Sequence, residues 1–320
     1  GTISGDIHGT YANSVVTDPL NPQTLTYSFM AGSNAQGLFA IDGATGVITL
    51  TGVPDYEALA VLNATAQVLN VQLSDGIASD TQQITVNIRN VNEAGSGAVN
   101  LSTTNYQRNA NTVTLNATST VSDADVIGAA SVHHHWQQLV GNTWTDVGGP
   151  GAAYTASAGA AVQQLRVAAT YTDATFGQHA MTPSPETAFI GTVGGNIITG
   201  TSGTDLILGF GGNDTFVAAG LPDGDDRFDG GSGTDTYDIS LTSSAANINL
   251  SGADVTVNNT VLIAGQATSA EIGTDTLISI NNIIGSSADN IIVSNTAANI
   301  IRGGGGNDTI VVVADNLRDT

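Results

Sequence analysis

The chain has 320 residues and a formal net charge of −22, with 28 acidic side chains against six Arg and no Lys. A phosphate backbone needs cations to neutralise it, so nucleic acid is excluded as a partner and an anionic membrane surface is disfavoured. Hydrophobic residues at 41% suffice for packed cores, aromatics are only 5%, and 39 Gly favour short strands and tight turns over long helices.

The chain opens Gly1-Thr2-Ile3 without Met or a signal-peptide pattern, and is expected to be a piece of a longer protein. Alternating apolar segments at Leu25–Phe29, Val47–Leu50, Val68–Leu73 and Ile84–Ile88 predict a β-sandwich over residues 1–95. Within it stand LFAIDGATGVITL (38–50), PDYEAL (54–59), LSDG (73–76) and the exit NIRNVNE (87–93). This ordered series resembles a bacterial cadherin-like repeat. The resemblance implies calcium held at a domain junction by Asp55, Glu57, Asp75, Asn90, Asn92 and Glu93. Leu73 and Asn90 stand where that family commonly carries Asp, which implies weaker affinity.

Residues 96–189 again read as β, with candidate strands at Val113–Leu115, His133–Leu139, Leu165–Tyr171 and near 187–190. The strings SDAD (122–125), WTDVGGPGAAYT (144–155) and LRVAATYTD (165–173) resemble an immunoglobulin-like repeat of large bacterial surface proteins. On that resemblance Asp123 and Asp125, joined by Asp173, would complete the junction site. In a strand, His133 and His135 share one face and His134 the other, so the run does not make a zinc site. Trp136 is expected in the sandwich core.

From Gly191 the chain falls into blocks of nine. They are GTVGGNIIT (191–199), GTSGTDLIL (200–208), GFGGNDTFV (209–217), LPDGDDRFD (221–229) and GGSGTDTYD (230–238), then GSSADNIIV (285–293), SNTAANIIR (294–302) and GGGGNDTIV (303–311). The sixth place holds Asn196, Asp205, Asp214, Asp226, Asp235, Asn290, Asn299 and Asp308. The eighth is always large and apolar: Ile198, Ile207, Phe216, Phe228, Tyr237, Ile292, Ile301 and Ile310. Six residues of turn, eased by Gly, followed by three of strand would wind a coil with the eighth side chain inside. Turns two blocks apart then stack, and the sixth-place carboxylates face one another.

The acids are 24 Asp and only four Glu, short carboxylates suited to loops that hold a hard cation with backbone carbonyls. With no Cys, metal is one way left to stabilise an exported chain. The blocks resemble the RTX calcium-binding nonapeptide, which Gly230–Asp238 and Gly303–Val311 match in full. The resemblance implies a parallel β-roll over 190–320, calcium as cofactor, and type I secretion to the cell surface or beyond. It names as ligands Asp205, Asp214, Asp226, Asp235 and Asp308, with Gly209, Gly211, Gly230, Gly233, Gly303 and Gly306 supplying turn carbonyls. Asn at 196, 290 and 299 implies weaker or absent sites. Residues 239–284 break the period and are expected to lengthen the rungs or insert a hairpin.

No catalytic constellation is legible: there is no G-x-S-x-G, no HExxH and no Walker loop, and the Gly-rich runs lack Lys. The expectation is an all-β, non-catalytic chain of two tandem sandwiches and a β-roll. Its role would be calcium-dependent structure and adhesion in a large secreted or surface protein. Expected partners beyond calcium are a cell-surface glycan or protein, or a second copy of the chain, with no membrane insertion. The alternatives are the secretion and stabilisation region of an exported enzyme, and a surface-layer assembly component.

Overall fold

A computed structural model describes residues 24–91, 96–122, 131–173, 177–218 and 222–314. They form two compact units, one within residues 24–91 and one within residues 96–314.

In the first unit, strands Thr26–Phe29, Ala66–Ser74 and Ser79–Asn87 make an antiparallel sheet with Ala66–Ser74 in the middle. Strands Phe39–Ile41 and Ile48–Leu50 form a hairpin. Its turn is closed by Asp42, whose Oδ1 accepts from the Ala44 and Thr45 amides at 2.9 and 2.8 Å. Helix Tyr56–Val61 follows, and Phe39, Leu59, Leu69 and Val71 are buried. The four expected strand segments are all found here.

The second unit begins as a sandwich. One sheet orders Ala153–Ser157, Thr112–Ser122 and Ser96–Leu101, with Gln107–Arg108 also paired to Thr112–Ser122. The facing sheet orders Thr143–Val147, Ser131–Val140, Gln163–Asp173 and Thr187–Ile190. Alternation along Thr112–Ser122 turns Val113, Leu115 and Ala117 inward. Trp136 is fully buried, as expected. Its indole N–H donates to the Gly151 carbonyl at 3.1 Å and its ring stacks on Tyr154 at 5.8 Å.

Strand Thr187–Ile190 is antiparallel to Gln163–Asp173 on one side and parallel to Asp205–Leu208 on the other. One sheet therefore runs without a break across position 189, where a domain boundary was expected. Beyond it the chain winds as a parallel roll. One wall stacks Ile197–Thr199, Thr215–Val217, Thr236–Asp238, Asn282–Ile284 and Ile301–Arg302. The other stacks Asp205–Leu208, Arg227–Asp229 and Gly273–Ile278, and later Asn247–Asn249, Ile291–Val293 and Thr309–Val311.

Residues 239–284 do both things expected of them. Gly273–Ile278 and Asn282–Ile284 continue the coil in parallel with Arg227–Asp229 and Thr236–Asp238. Gln266–Ser269 is inserted antiparallel between Gly273–Ile278 and Asn247–Asn249. A hairpin of Val255–Val257 and Thr260–Leu262 projects from the loop, turning on Asn258 and Asn259 at φ 49° and 66°.

The eighth-place residues Ile198, Ile207, Phe216, Phe228, Tyr237 and Ile292 form the roll's core, with Ile301 packed against it. Ile310, on the last described rung, is the exception at 43% exposed. Leu206, Leu208 and Phe210 point the other way and join the sandwich core around Trp136.

Candidate calcium-binding turns

Stacking the blocks places sixth-place side chains in two files, one along each edge of the roll. In six pairs the side chain of one rung accepts the backbone N–H of the corresponding residue in the rung before it. On the first edge, the Asn196 amide donates to Asp214 Oδ1 at 2.7 Å and the Asp214 amide to Asp235 Oδ1 at 2.8 Å. The Asp235 amide donates to Asn281 Oδ1 at 2.9 Å. On the second edge, the Asp205 amide donates to Asp226 Oδ1 at 2.8 Å and the Asp226 amide to Asp275 Oδ1 at 2.9 Å. Farther along, the Asn290 amide donates to Asp308 Oδ1 at 2.9 Å.

The acids thus come as two contiguous runs: Asp214 and Asp235 on one edge, Asp205, Asp226 and Asp275 on the other. All five are buried. One oxygen of each of Asp214, Asp226 and Asp235 is engaged in the ladder; Asp275 has Oδ1 in the ladder and Oδ2 on the Tyr237 hydroxyl, and Asp205 accepts from the Thr201 amide and hydroxyl. Asp214 Oδ2 and Asp235 Oδ2 are buried without any hydrogen-bond partner. A buried carboxylate oxygen facing nothing is costly, and a cation beside it removes the cost.

Electrostatics agree. Burial pushes Asp205 and Asp214 up to about 6, from an ordinary 3.8, with Asp223 and Asp235 respectively adding like charge. Asp226 is pushed up to about 9 by burial first, then by the Asp275, Asp205 and Asp223 carboxylates. Asp275 rises to about 8 by burial, with Asp223 and Asp225 adding to it against the Tyr237 hydroxyl. Burial also raises Asp235. Without a cation Asp226 and Asp275 prefer a proton at neutral pH, and the other three ionise less readily than an ordinary carboxyl.

The glycines expected at the turns belong to this geometry. A Cβ on Gly209 or Gly230 would meet the carboxylate of Asp214 or Asp235, and one on Gly303 would meet Asp308. Gly233 and Gly306 have φ of 132° and 84°, open to Gly at little cost. Gly211 is crowded by Ser232 Oγ and the Val193 carbonyl, each 3.3 Å from where a Cβ would stand. Asp308 is half-buried and pairs with an amide, Asn290, in place of an acid.

Asp275 and Asn281 went unread in the sequence because they lie inside the aperiodic stretch. The signal was there: Gly273, Asp275 and Leu277 carry the fourth-, sixth- and eighth-place spacing of a block. Among the described residues no three His, Cys, Asp or Glu side chains are grouped to hold one ion by themselves. The roll instead stacks carboxylates in pairs at turns, oxygen donors of the kind that suits a hard cation.

In the first unit the expected ligands sit in local motifs. Asp55 caps helix Tyr56–Val61, its Oδ1 accepting the Ala58 amide at 2.8 Å. Asp75 Oδ1 accepts the Ile77 and Ala78 amides at 2.8 and 2.7 Å, which holds its carboxyl below the usual range. Glu57 Oε1 and Asn90 Oδ1 are buried without a hydrogen-bond partner. Asn92, Glu93, Asp123, Asp125 and the side chain of Asp173 lie outside the described residues.

Residues 190–220, 223–238 and 280–316 match the RTX calcium-binding nonapeptide repeat in four copies. Calcium is the metal of these repeats. No curated protein gives a significant match to the chain. Among solved structures it is similar to human protocadherin-24 EC1-2 form II, at 17% identity over 53% of this chain and 83% of that one, with a TM-score of 0.28. It is also similar to protocadherin gamma B2 extracellular cadherin domains 1-5, at 14% identity over 56% of this chain and 36% of that one, with a TM-score of 0.26. Likeness at that level decides neither the fold nor the function of any part of the chain.

Proposed function

We propose that the chain is a calcium-dependent structural and adhesive region of a large secreted or cell-surface protein. The observation that carries this is the file of stacked, buried carboxylates with Asp214 Oδ2 and Asp235 Oδ2 left without partners. Bound calcium would supply the positive charge those turns lack. Asp214 with Asp235, and Asp205 with Asp226, would hold it together with the carbonyls of the Gly-rich turns. In Asp214 and Asp235 the backbone ladder fixes Oδ1 and so aims Oδ2. Folding of the roll is thereby tied to the calcium concentration, low inside cells and high outside.

The first unit supports a second, separate place for calcium, through the buried oxygens of Glu57 and Asn90. Glu57→Ala should then lower the number of calcium ions bound without changing the melting of the roll.

Circular dichroism and thermal melting of the 320-residue chain in calcium and in EGTA test the main reading. Loss of β signal and a lower melting temperature in EGTA are expected, and an unchanged spectrum and melt would refute it. For adhesion, the test is binding of the chain to cells and glycan arrays in calcium, abolished by EGTA. Equal binding in both conditions, or none in either, would count against that half.

A further inference from the structure

We propose that the amide group of Asn290 takes the place of a cation, so that the turns it joins, at 285–290 and 303–308, are held without metal. Asn290 is 1% exposed and stands in the sixth place on the edge where Asp205, Asp226 and Asp275 precede it. Its Nδ2 lies 2.7 Å from the Ala288 carbonyl, 3.0 Å from the Gly303 carbonyl and 3.0 Å from Asp308 Oδ1, and its two hydrogens serve these three acceptors, one of them shared. Three oxygens from two stacked turns converge on one nitrogen, the arrangement of turn carbonyls and a carboxylate that would otherwise surround a metal. The other end of the amide is equally committed. Oδ1 accepts the Ala246 amide at 3.0 Å and the Ser286 hydroxyl at 2.9 Å. Only one orientation of the side chain satisfies a backbone N–H on one side and carbonyls on the other.

The contrast with the acid runs is direct. Asp214 and Asp235 each keep a buried oxygen that no donor reaches, whereas Asn290 leaves nothing unmet. The opposite edge repeats the device. Asn299 Nδ2 donates to the Asn281 carbonyl at 2.6 Å and to Asn295 Oδ1 at 2.9 Å. The roll therefore has a calcium-requiring stretch over 205–238 and Asp275, and a metal-free stretch beyond it. Asn in the sixth place is a change of glue, beyond the mere loss of a ligand.

The inference rests on the calcium reading of the acid runs, and Asn290→Asp tests it in the full chain. A carboxylate there would face Asp308 and two carbonyls with no donor between them. Asn290→Asp should melt several degrees lower than wild type in EGTA, recover in calcium, and bind one calcium more than wild type by titration calorimetry. An unaltered melt in EGTA, or no additional calcium, overturns the proposal. Hydrogen exchange of the wild type covers a variant that fails to fold. In EGTA the amides of Ile291–Val293 should stay protected while those of Asp205–Leu208 and Thr215–Val217 exchange, and loss of protection in all three together also overturns it. If wild type ignores calcium altogether the parent reading fails, yet the comparison of Asn290→Asp with wild type still decides this one.

Discussion

The sandwich of residues 96–190 and the roll that follows share a sheet but bury their chain by different means. In the sandwich most strands run from five to eleven residues and alternate inward and outward, and the interior is apolar around Trp136, Val113, Leu115 and Leu165. In the roll most strands are three or four residues long, and the turns between them carry buried sixth-place side chains, although their tips, such as residues 232–234, are exposed. A turn whose sixth place is buried brings a carboxylate inside, where it needs a partner. The Asp ladders meet half of that need, and the remaining oxygens define what the roll still requires. On the proposed reading, metal dependence is a property of turns, and a sheet can pass from a metal-free to a metal-requiring region without interruption.

The largest effect expected is of pH in the absence of metal. Asp226, Asp275, Asp205 and Asp214 have folded-state pKa values of about 9, 8, 6 and 6 against an ordinary 3.8. Raised values mean that the folded roll holds protons the unfolded chain has released. Its stability is fully present below about pH 4 and is lost as pH climbs through 6 to 9. A tenfold difference in proton affinity between folded and unfolded chain is worth about 1.4 kcal/mol, and the four groups lose stability in the same direction. Melts in EGTA from pH 4 to 9 should show the roll falling steadily while the sandwich does not follow it. In calcium the trend should reverse on the acid side, where protons compete for the carboxylates. A roll equally stable at pH 5 and 8 in EGTA would break the contrast between the regions.

Next in size is the core. Phe216 is fully buried against Phe228, ring centres 5.6 Å apart, and Phe216→Ala should cost about 3–5 kcal/mol. The penalty should appear in calcium as a lowered melt of the roll alone, and the near-ultraviolet signal of Trp136 should persist. Gly230→Ala should cost up to about 3 kcal/mol, since its Cβ would meet Asp235 Oδ2 and, at 2.5 Å, the Ser279 carbonyl. Reduced calcium affinity at the Asp214–Asp235 edge should accompany it, read by calorimetry.

Much of this contrast is legible in the sequence, for reasons that differ by region. The period of nine survives because each rung repeats the same demand: a turn that tolerates Gly, a ladder acceptor in the sixth place and a core side chain in the eighth. Asp275 escapes the reading because Gln266–Ser269 and the hairpin at 255–262 interrupt the count before it. Phe210 escapes for another reason. It occupies the second place of a block, where Gly is the family residue, at a positive φ of 71°, and is 2% exposed within the sandwich core. Nothing local announces that a turn residue will be packed by a preceding domain. In the first unit the strands follow from alternation, whereas Asp55 and Asp75 show how one residue type serves two ends. As helix cap and turn acceptor they explain their own presence, and a role toward metal needs evidence of another kind.

The smallest predicted effect probes the join itself. Arg108, on the sandwich strand Gln107–Arg108, reaches the roll: Nη1 lies 2.6 Å from Asp229 Oδ1 and Nη2 donates to the Phe210 carbonyl at 2.9 Å. Its guanidinium also covers the Phe210 ring at 5.0 Å, and its charge favours the ionised forms of Asp214 and Asp235. The sandwich thus lends the first rungs a cation of its own. Arg108→Ala leaves Asp229, 7% exposed, without that partner and should cost about 1–2 kcal/mol. The cost should be greater in EGTA than in calcium, because bound metal supplies the same charge to the neighbouring acids. Arg108→Lys should restore part of the charge but neither the two-point contact nor the stacking. Equal penalties in both conditions would mean that Arg108 only fastens the two regions together and contributes nothing to the charge balance of the turns.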